Sequence, residues 1–135
     1  MSYDLMVFDP DAAPKTRADF MKWYKQQTRW SENHSYKDPA VTTAQVRAWF
    51  EDMIKEFPAM NGPFASKDDD ARLADYCIGR SVIYTTFSWS DADDAYQSVF
   101  QWAKRHMIGF FDVSSNDGRV WMPNSDGDFV HVHGG

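Results

Sequence analysis

Residues 82–106 read VIYTTFSWSDADDAYQSVFQWAKRH, and two different apolar periods meet within this segment. Residues 82–89 alternate and are rich in β-branched and aromatic side chains, a pattern that predicts a strand. From Ser90, a preferred N-cap residue, the apolar side chains recur every three or four positions. Aspartates fill the first turn, where the helix dipole favours negative charge. A strand followed at once by an amphipathic helix indicates a domain that mixes helices with a sheet.

Apolar period and turn residues predict the remaining elements on either side of this segment. A capping box of Thr42 and Gln45 is expected at the start of the second helix, which Pro58 ends. Strands are predicted at residues 3–8, 76–78, 82–89, 110–113 and 119–122, and helices at about residues 14–29, 43–57 and 90–106. The order βααββαββ predicts an α+β domain, in which about three helices pack on one face of an antiparallel sheet. Residues 1–128 are expected to form this single domain, and residues 129–135 a flexible C-terminal tail.

Composition limits the classes of function. The 135 residues carry 14 Lys and Arg against 20 Asp and Glu, a formal net charge of −6. This charge disfavours binding to nucleic acid or to an anionic membrane, and it favours a basic protein partner. No segment approaches the roughly 20 apolar residues that span a bilayer, and no basic region opens a signal peptide, so a cytoplasmic protein is expected. The single cysteine, Cys77, lies in a strand-like setting that indicates a buried, inert thiol.

Two loops combine acidic residues with aromatic side chains. The first, SENHSYKDPAV at residues 31–41, breaks the helical period, and the second, at residues 58–74, holds an Asn-Gly-Pro turn sequence and an acidic run. Aromatic anchors inside an acidic rim are typical of a protein interface. A second interpretation, in which the rings only clamp the loops onto the core, stays open. The predicted partner-binding residues are Trp30, Glu32, His34, Tyr36, Asp38, Phe64, Asp68, Asp69 and Asp70.

The chemical motifs of the chain are incomplete. His34 and Glu32 could supply an acid/base pair, but no nucleophile, glycine-rich anion cradle or metal-spaced cluster accompanies them. His131 and His133 alternate, so both could face the same way and chelate a metal, but a third ligand is missing. The acidic run 68–70 lacks the spacing of an EF-hand calcium loop. The sequence therefore predicts no catalytic residue, no metal site and no cofactor, and a protein that is not an enzyme.

Four segments together resemble a group of small bacterial cytoplasmic proteins that are similar to the immunity proteins encoded beside polymorphic secreted toxins. The segments are SYDLMVF at residues 2–8, FPAMNGP at residues 57–63, DYCIG at residues 75–79 and GFFDVS at residues 109–114. The resemblance extends over residues 2–123 and includes no catalytic signature. It implies a protein that binds a cognate toxin domain and blocks its active site or the approach of its substrate.

Three functions follow as expectations. The first is an immunity-type protein that neutralises a basic toxin domain through the acidic, aromatic-bearing loops. The alternative is a small-molecule-binding or enzymatic domain, with a pocket between sheet and helices that uses His34, Glu32 or Asp112. The third is a homodimer joined through an open sheet edge or an exposed aromatic face.

Overall fold

The computed structural model describes residues 2–67 and 72–135. The elements in chain order are β1 Tyr3–Phe8, α1 Arg17–Gln27, α2 Ala44–Glu56, β2 Asp75–Ile78, β3 Val82–Phe87, α3 Ala92–Arg105, β4 Gly109–Phe111, β5 Val120–Pro123 and β6 Phe129–His133. All six strands form one antiparallel sheet in the order β2-β3-β1-β4-β5-β6. The α+β class, with an antiparallel sheet and three helices, is therefore confirmed.

The helices lie on both faces of the sheet, so the prediction of one covered face is wrong. Leu5 and Val7 of β1 pack in the same cluster as the buried residues of α2 and α3. Met6 and Phe8, which point the opposite way, pack with residues of α1. The reason lies in β1 itself, because all four of these residues are fully buried, and a strand without polar alternation needs cover on both sides.

An apolar stripe along α2 forms the centre of the larger core. Trp49 is completely buried, and its indole Nε1 donates a hydrogen bond to the carbonyl of Val99 at 3.3 Å. The Tyr76 ring crosses Trp49 with 6.1 Å between centroids, so the indole joins α2 to α3 and to the sheet. The buried residues of this stripe are Val46, Trp49, Phe50, Met53 and, just after the helix, Phe57.

Phe20 holds α1 against the other face of the sheet. It is the one fully buried side chain of α1, and its ring centroid lies 5.3 Å from that of Phe8 and 5.3 Å from that of Phe111. Trp23 closes the same aromatic group at 5.6 Å from Phe20. Such tilted and edge-on contacts add to the free energy gained from burial alone.

The capping box predicted for α2 is absent. Thr43, not Thr42, is the N-cap residue, and its side chain caps no backbone N–H. The Thr42 hydroxyl instead donates to the carbonyl of Arg80 at 3.1 Å, in the turn between β2 and β3. The Thr42 side chain therefore makes a long-range hydrogen bond and does not cap the helix, as the local pattern predicted it would.

Residues 129–133, predicted as part of a flexible tail, instead form β6, and this corrects the sequence prediction. β6 pairs with β5, and its first side chain, Phe129, packs on Phe100 at 5.1 Å. The turn before it is set by Asn124, whose side-chain oxygen accepts from the backbone N–H groups of Asp126 and Asp128. β5 precedes β6 directly in the chain, but the Phe100 side chain that Phe129 covers belongs to α3, so the burial that makes residues 129–133 part of the domain is not visible in the local pattern.

Candidate functional site

The loop that follows α1 adopts a strained backbone. Trp30 and Tyr36 have φ of 53° and 63°, in the left-handed region that residues with a Cβ seldom occupy. Each such residue costs on the order of 1 kcal/mol or more, so the surrounding contacts must hold it in place. The conformation of this loop is therefore fixed by specific side chains.

Glu32, His34 and Tyr36 form the polar centre of this loop. The Nδ1 atom of His34 accepts the backbone N–H of Tyr36 at 3.1 Å, which leaves the imidazole proton on Nε2. That Nε2 atom donates to Oε1 of Glu32, and the backbone N–H of Glu32 donates to the Tyr36 hydroxyl. The acid/base pair considered from the sequence is thus engaged in holding its own loop.

The same loop is attached to the turn between β2 and β3. Oε1 of Glu32 accepts the backbone N–H of Arg80 at 3.0 Å, and the carbonyl of Tyr36 accepts the N–H of Ile78 at 2.8 Å. Trp30 packs edge-on against Tyr36 and against Tyr84, with centroids 5.3 and 5.9 Å apart. These contacts are the ones expected if the rings clamp the loop onto the core, so Trp30 and Tyr36 present little of their surface as free anchors.

The second predicted loop lies directly against the first. Gly62 has φ of 85°, and a Cβ built on it would come within 2.7 Å of the carbonyl oxygen of Lys37. Beside this contact, the Asp38 carboxylate accepts the backbone N–H of Ala40 and so opens the short 3-10 turn Pro39–Val41. The structure therefore brings together the two loops that the sequence indicated separately. We call residues 30–38 and 58–67 the two-loop surface.

Two large apolar side chains of the two-loop surface are exposed. Phe64 is 49% exposed and Met60 48%, and Phe64 is supported from beneath by Phe50 at 5.8 Å. Phe64 was predicted from its position in an acidic loop. Met60 was missed, because a lone methionine in a loop carries no periodic signal and only its exposure marks it. The predicted residues Asp68, Asp69 and Asp70 lie outside the described residues.

A groove of about 580 Å³ runs along the outer side of α3 and reaches the C-terminal end of α2 at Glu56. At its edge, the Glu56 carboxylate accepts hydrogen bonds from the Ser98 hydroxyl and the Trp102 indole N–H. The groove is lined by Glu56, Gln97, Ser98, Gln101, Trp102, Lys104, Arg105 and Gly127. None of the residues expected from the sequence for a pocket, His34, Glu32 and Asp112, belongs to this lining.

A side-chain hydrogen bond joins α2 and α3 near the groove. Nε2 of His106, at the C-terminal end of α3, lies 2.6 Å from Oδ2 of Asp52 in α2. The hydrogen bond from His106 holds the pKa of Asp52 below its ordinary value, and Lys55 acts in the same direction. His106 therefore has a structural role, as a contact between α2 and α3.

Asp52→Asn is expected to lower the free energy of unfolding by about 1 kcal/mol at pH 6, a value typical of a partly exposed pair. Because the folded-state pKa of Asp52 is depressed, its contribution is present above the unfolded-state pKa and is lost as pH falls below about 4. Urea denaturation of both proteins from pH 2.5 to 6 tests this. A stability difference that stayed constant over this range would contradict the prediction.

The other titratable candidates are not grouped for chemistry. Cys77 is only partly buried, which corrects the prediction of a buried thiol. Desolvation, helped by Asp75, still raises the pKa of the thiol to about 11, so little of it is the reactive thiolate at neutral pH. Burial also raises the pKa of Asp112. His131 packs on Trp121 while His133 packs on Phe20, so the two imidazoles contact different faces of the sheet. The pairing of β5 with β6 shifts register between Val120 and Trp121, which turns His131 and His133 to opposite faces. The expectation that both side chains point the same way is therefore wrong.

In residues 2–67 and 72–135, no three histidine, cysteine or carboxylate side chains are placed to hold a metal ion. Within the same residues, no helix has the length and apolar character needed to cross a membrane. Comparison of the chain with protein-family models, with curated protein sequences and with solved structures gave no significant match.

Proposed function

We propose that this protein is a cytoplasmic immunity-type protein, which binds and neutralises a cognate bacterial toxin domain through the two-loop surface. The observation that carries the proposal is the contact between the two loops at Gly62 and Lys37, with Phe64 and Met60 exposed beside it. A surface already held in one conformation loses less entropy on binding than a mobile one.

The contacts of the first loop support the same proposal. Glu32 and His34 fix the loop backbone, and Trp30 anchors it to the sheet, so these residues act as supports. The direct contacts to the partner would come from the exposed side chains, with Phe64 and Met60 as apolar anchors and Asp38 in the rim. The acidic charge of the chain would attract a basic toxin cleft and speed association.

The experiment is coexpression of the tagged protein with the proteins encoded beside its gene, followed by native mass spectrometry and a growth assay. We expect a complex of defined stoichiometry with a basic protein that stops growth when this protein is absent. Failure to find a toxic partner among the neighbouring gene products would remove the support for an immunity function.

Phe64→Ser is expected to weaken that complex by about 30-fold or more, the effect typical of losing a central anchor. The matched control is Trp89→Ser, which removes another aromatic side chain that is 48% exposed, on a different part of the surface. Isothermal titration calorimetry compares the three proteins. Equal losses in both variants, or none in the first, would show that the partner binds elsewhere.

A second candidate function, small-molecule binding, is favoured by the groove beside α2 and α3. Its volume of about 580 Å³ suits a ligand of ordinary metabolite size, and Trp102 with Arg105 offers an aromatic face next to a cation. A thermal-shift screen separates the two functions. A compound that raises the melting temperature of the parent protein but not of Trp102→Ala would favour the groove.

A further inference from the structure

The charge of the chain is unevenly distributed, and the positive excess lies on α1 and the residues that flank it. Residues 15–29 contain five basic residues and one acidic residue, a net charge of +4. The rest of the chain contains the other nine basic and nineteen acidic residues, a net charge of −10. A local charge opposite to that of the surrounding protein needs a physical explanation.

Three of the four exposed cations of this segment lie on one side of α1 and its C-terminal turn, and the fourth, Lys15, precedes the helix. Lys22, Lys25 and Arg29 are all exposed and are separated by three and four residues. At about 100° per residue, Lys22 and Lys25 point within about 40° of the direction opposite to Phe20, the residue that α1 buries. Arg29 follows in the turn after the helix, where its N–H bonds to the carbonyl of Gln26. We call these three residues the basic stripe.

Folding of the chain does not use the basic stripe. In the part of the chain that the structure describes, none of its three side chains forms an ion pair, while cations on other elements do so with Asp52, Asp94 and Asp117. Like charges three and four positions apart on a helix repel, at a cost of about 0.2–0.5 kcal/mol for each pair. The helix dipole favours positive charge in the last turn, which accounts for Lys25 but not for Lys22.

We propose that the basic stripe is a docking surface for an acidic polypeptide segment. In an extended segment, alternate side chains on one side lie about 7 Å apart, so two or three carboxylates would reach along the stripe. Neutralising the three cations would remove the repulsion within the helix. This surface shares no residue with the two-loop surface, which has two acidic and two basic residues and no formal net charge. Its partner segment is therefore distinct, and the inference does not depend on the immunity function.

The number of cations in the basic stripe and the charge of the rest of the chain favour a polypeptide partner over a nucleic acid. Proteins that bind nucleic acid through its backbone commonly make 6–10 phosphate contacts, whereas the stripe offers three cations. The net charge of −10 on the rest of the chain would also repel a continuous phosphate backbone. A short acidic segment meets the stripe without lying across the acidic remainder.

The test measures fluorescence anisotropy of a labelled twelve-residue polyglutamate peptide at low salt. Lys22→Glu/Lys25→Glu/Arg29→Glu is expected to weaken binding at least tenfold. The matched control, Arg80→Glu/Lys104→Glu/Arg105→Glu, changes the net charge by the same amount at exposed positions outside the stripe, and it is expected to weaken binding less than threefold. Circular dichroism checks that both variants fold. If the charge reversal of the basic stripe prevents folding, Lys22→Ala/Lys25→Ala/Arg29→Ala is measured in its place.

Three results would overturn the proposal. Equal weakening in both charge-reversal variants would show that only net charge matters. Absence of peptide binding to the parent protein would remove the docking surface altogether. Tighter, stripe-dependent binding of a labelled twelve-nucleotide single strand would assign the stripe to nucleic acid. Since none of these measurements uses the proposed toxin, the outcome is separate from that of the immunity function.

Discussion

Trp49→Ala is expected to lower the free energy of unfolding by about 3–5 kcal/mol, a large share of the stability of a domain of this size. Trp49 is fully buried between α2 and α3, and its removal would leave a cavity that the surrounding rings cannot fill. It would also leave the carbonyl of Val99 without its indole donor. Urea denaturation monitored by circular dichroism measures the change.

Two controls separate cavity, hydrogen bond and ring. Trp49→Phe keeps an aromatic ring in the core but removes the indole N–H, so a smaller loss is expected. Trp89→Ala removes a tryptophan that is 48% exposed and rests on Tyr3, and this change is expected to cost about 1 kcal/mol or less. If Trp89→Ala destabilised the protein as much as Trp49→Ala, the assignment of Trp49 to the core and of Trp89 to the surface would be wrong.

Phe20→Ala is expected to cost about 3–5 kcal/mol, because it removes the one fully buried side chain of α1. The ring contacts Phe8 and Phe111, which belong to different strands, so its loss weakens the whole attachment of α1 to the sheet. Hydrogen exchange of α1 amides should accelerate more than that of α2 amides, because α2 packs on the opposite face.

A double-mutant cycle tests the contact itself. The coupling between Phe20→Ala and Phe111→Ala is expected to be about 0.5–1.5 kcal/mol, as for other edge-on aromatic pairs. The pair Phe20 and Val46 serves as the control, since Val46 lies in the cluster on the other face and little coupling is expected. Additive effects for both pairs would mean that Phe20 does not pack against β4.

Parts of the candidate site could not be predicted from local sequence patterns. Acidic residues and aromatic residues outside the predicted helices and strands indicated that both loops bind a partner. The structure places those two loops against each other. The pattern did not separate supports from exposed anchors, because Trp30 and Phe64 look alike in sequence but differ in what lies beneath them. It also missed Met60 and the groove beside α3, which depend on surfaces contributed by distant segments.

The sequence by itself determined the α+β class and, to within a few residues, the positions of α2, β2 and β3, because these depend on apolar period and turn residues within a few positions. The tertiary structure decided the side of the sheet on which α1 packs, the packing of β6 on α3 and the loss of the capping box at Thr42. The spacing of apolar residues shows which face of a helix or strand is buried. It does not show which other element covers that face, because this depends on contacts between residues far apart in the sequence. The same distinction applies to α1, whose cations are visible in the sequence but whose outward stripe appears only once Phe20 fixes the inner face.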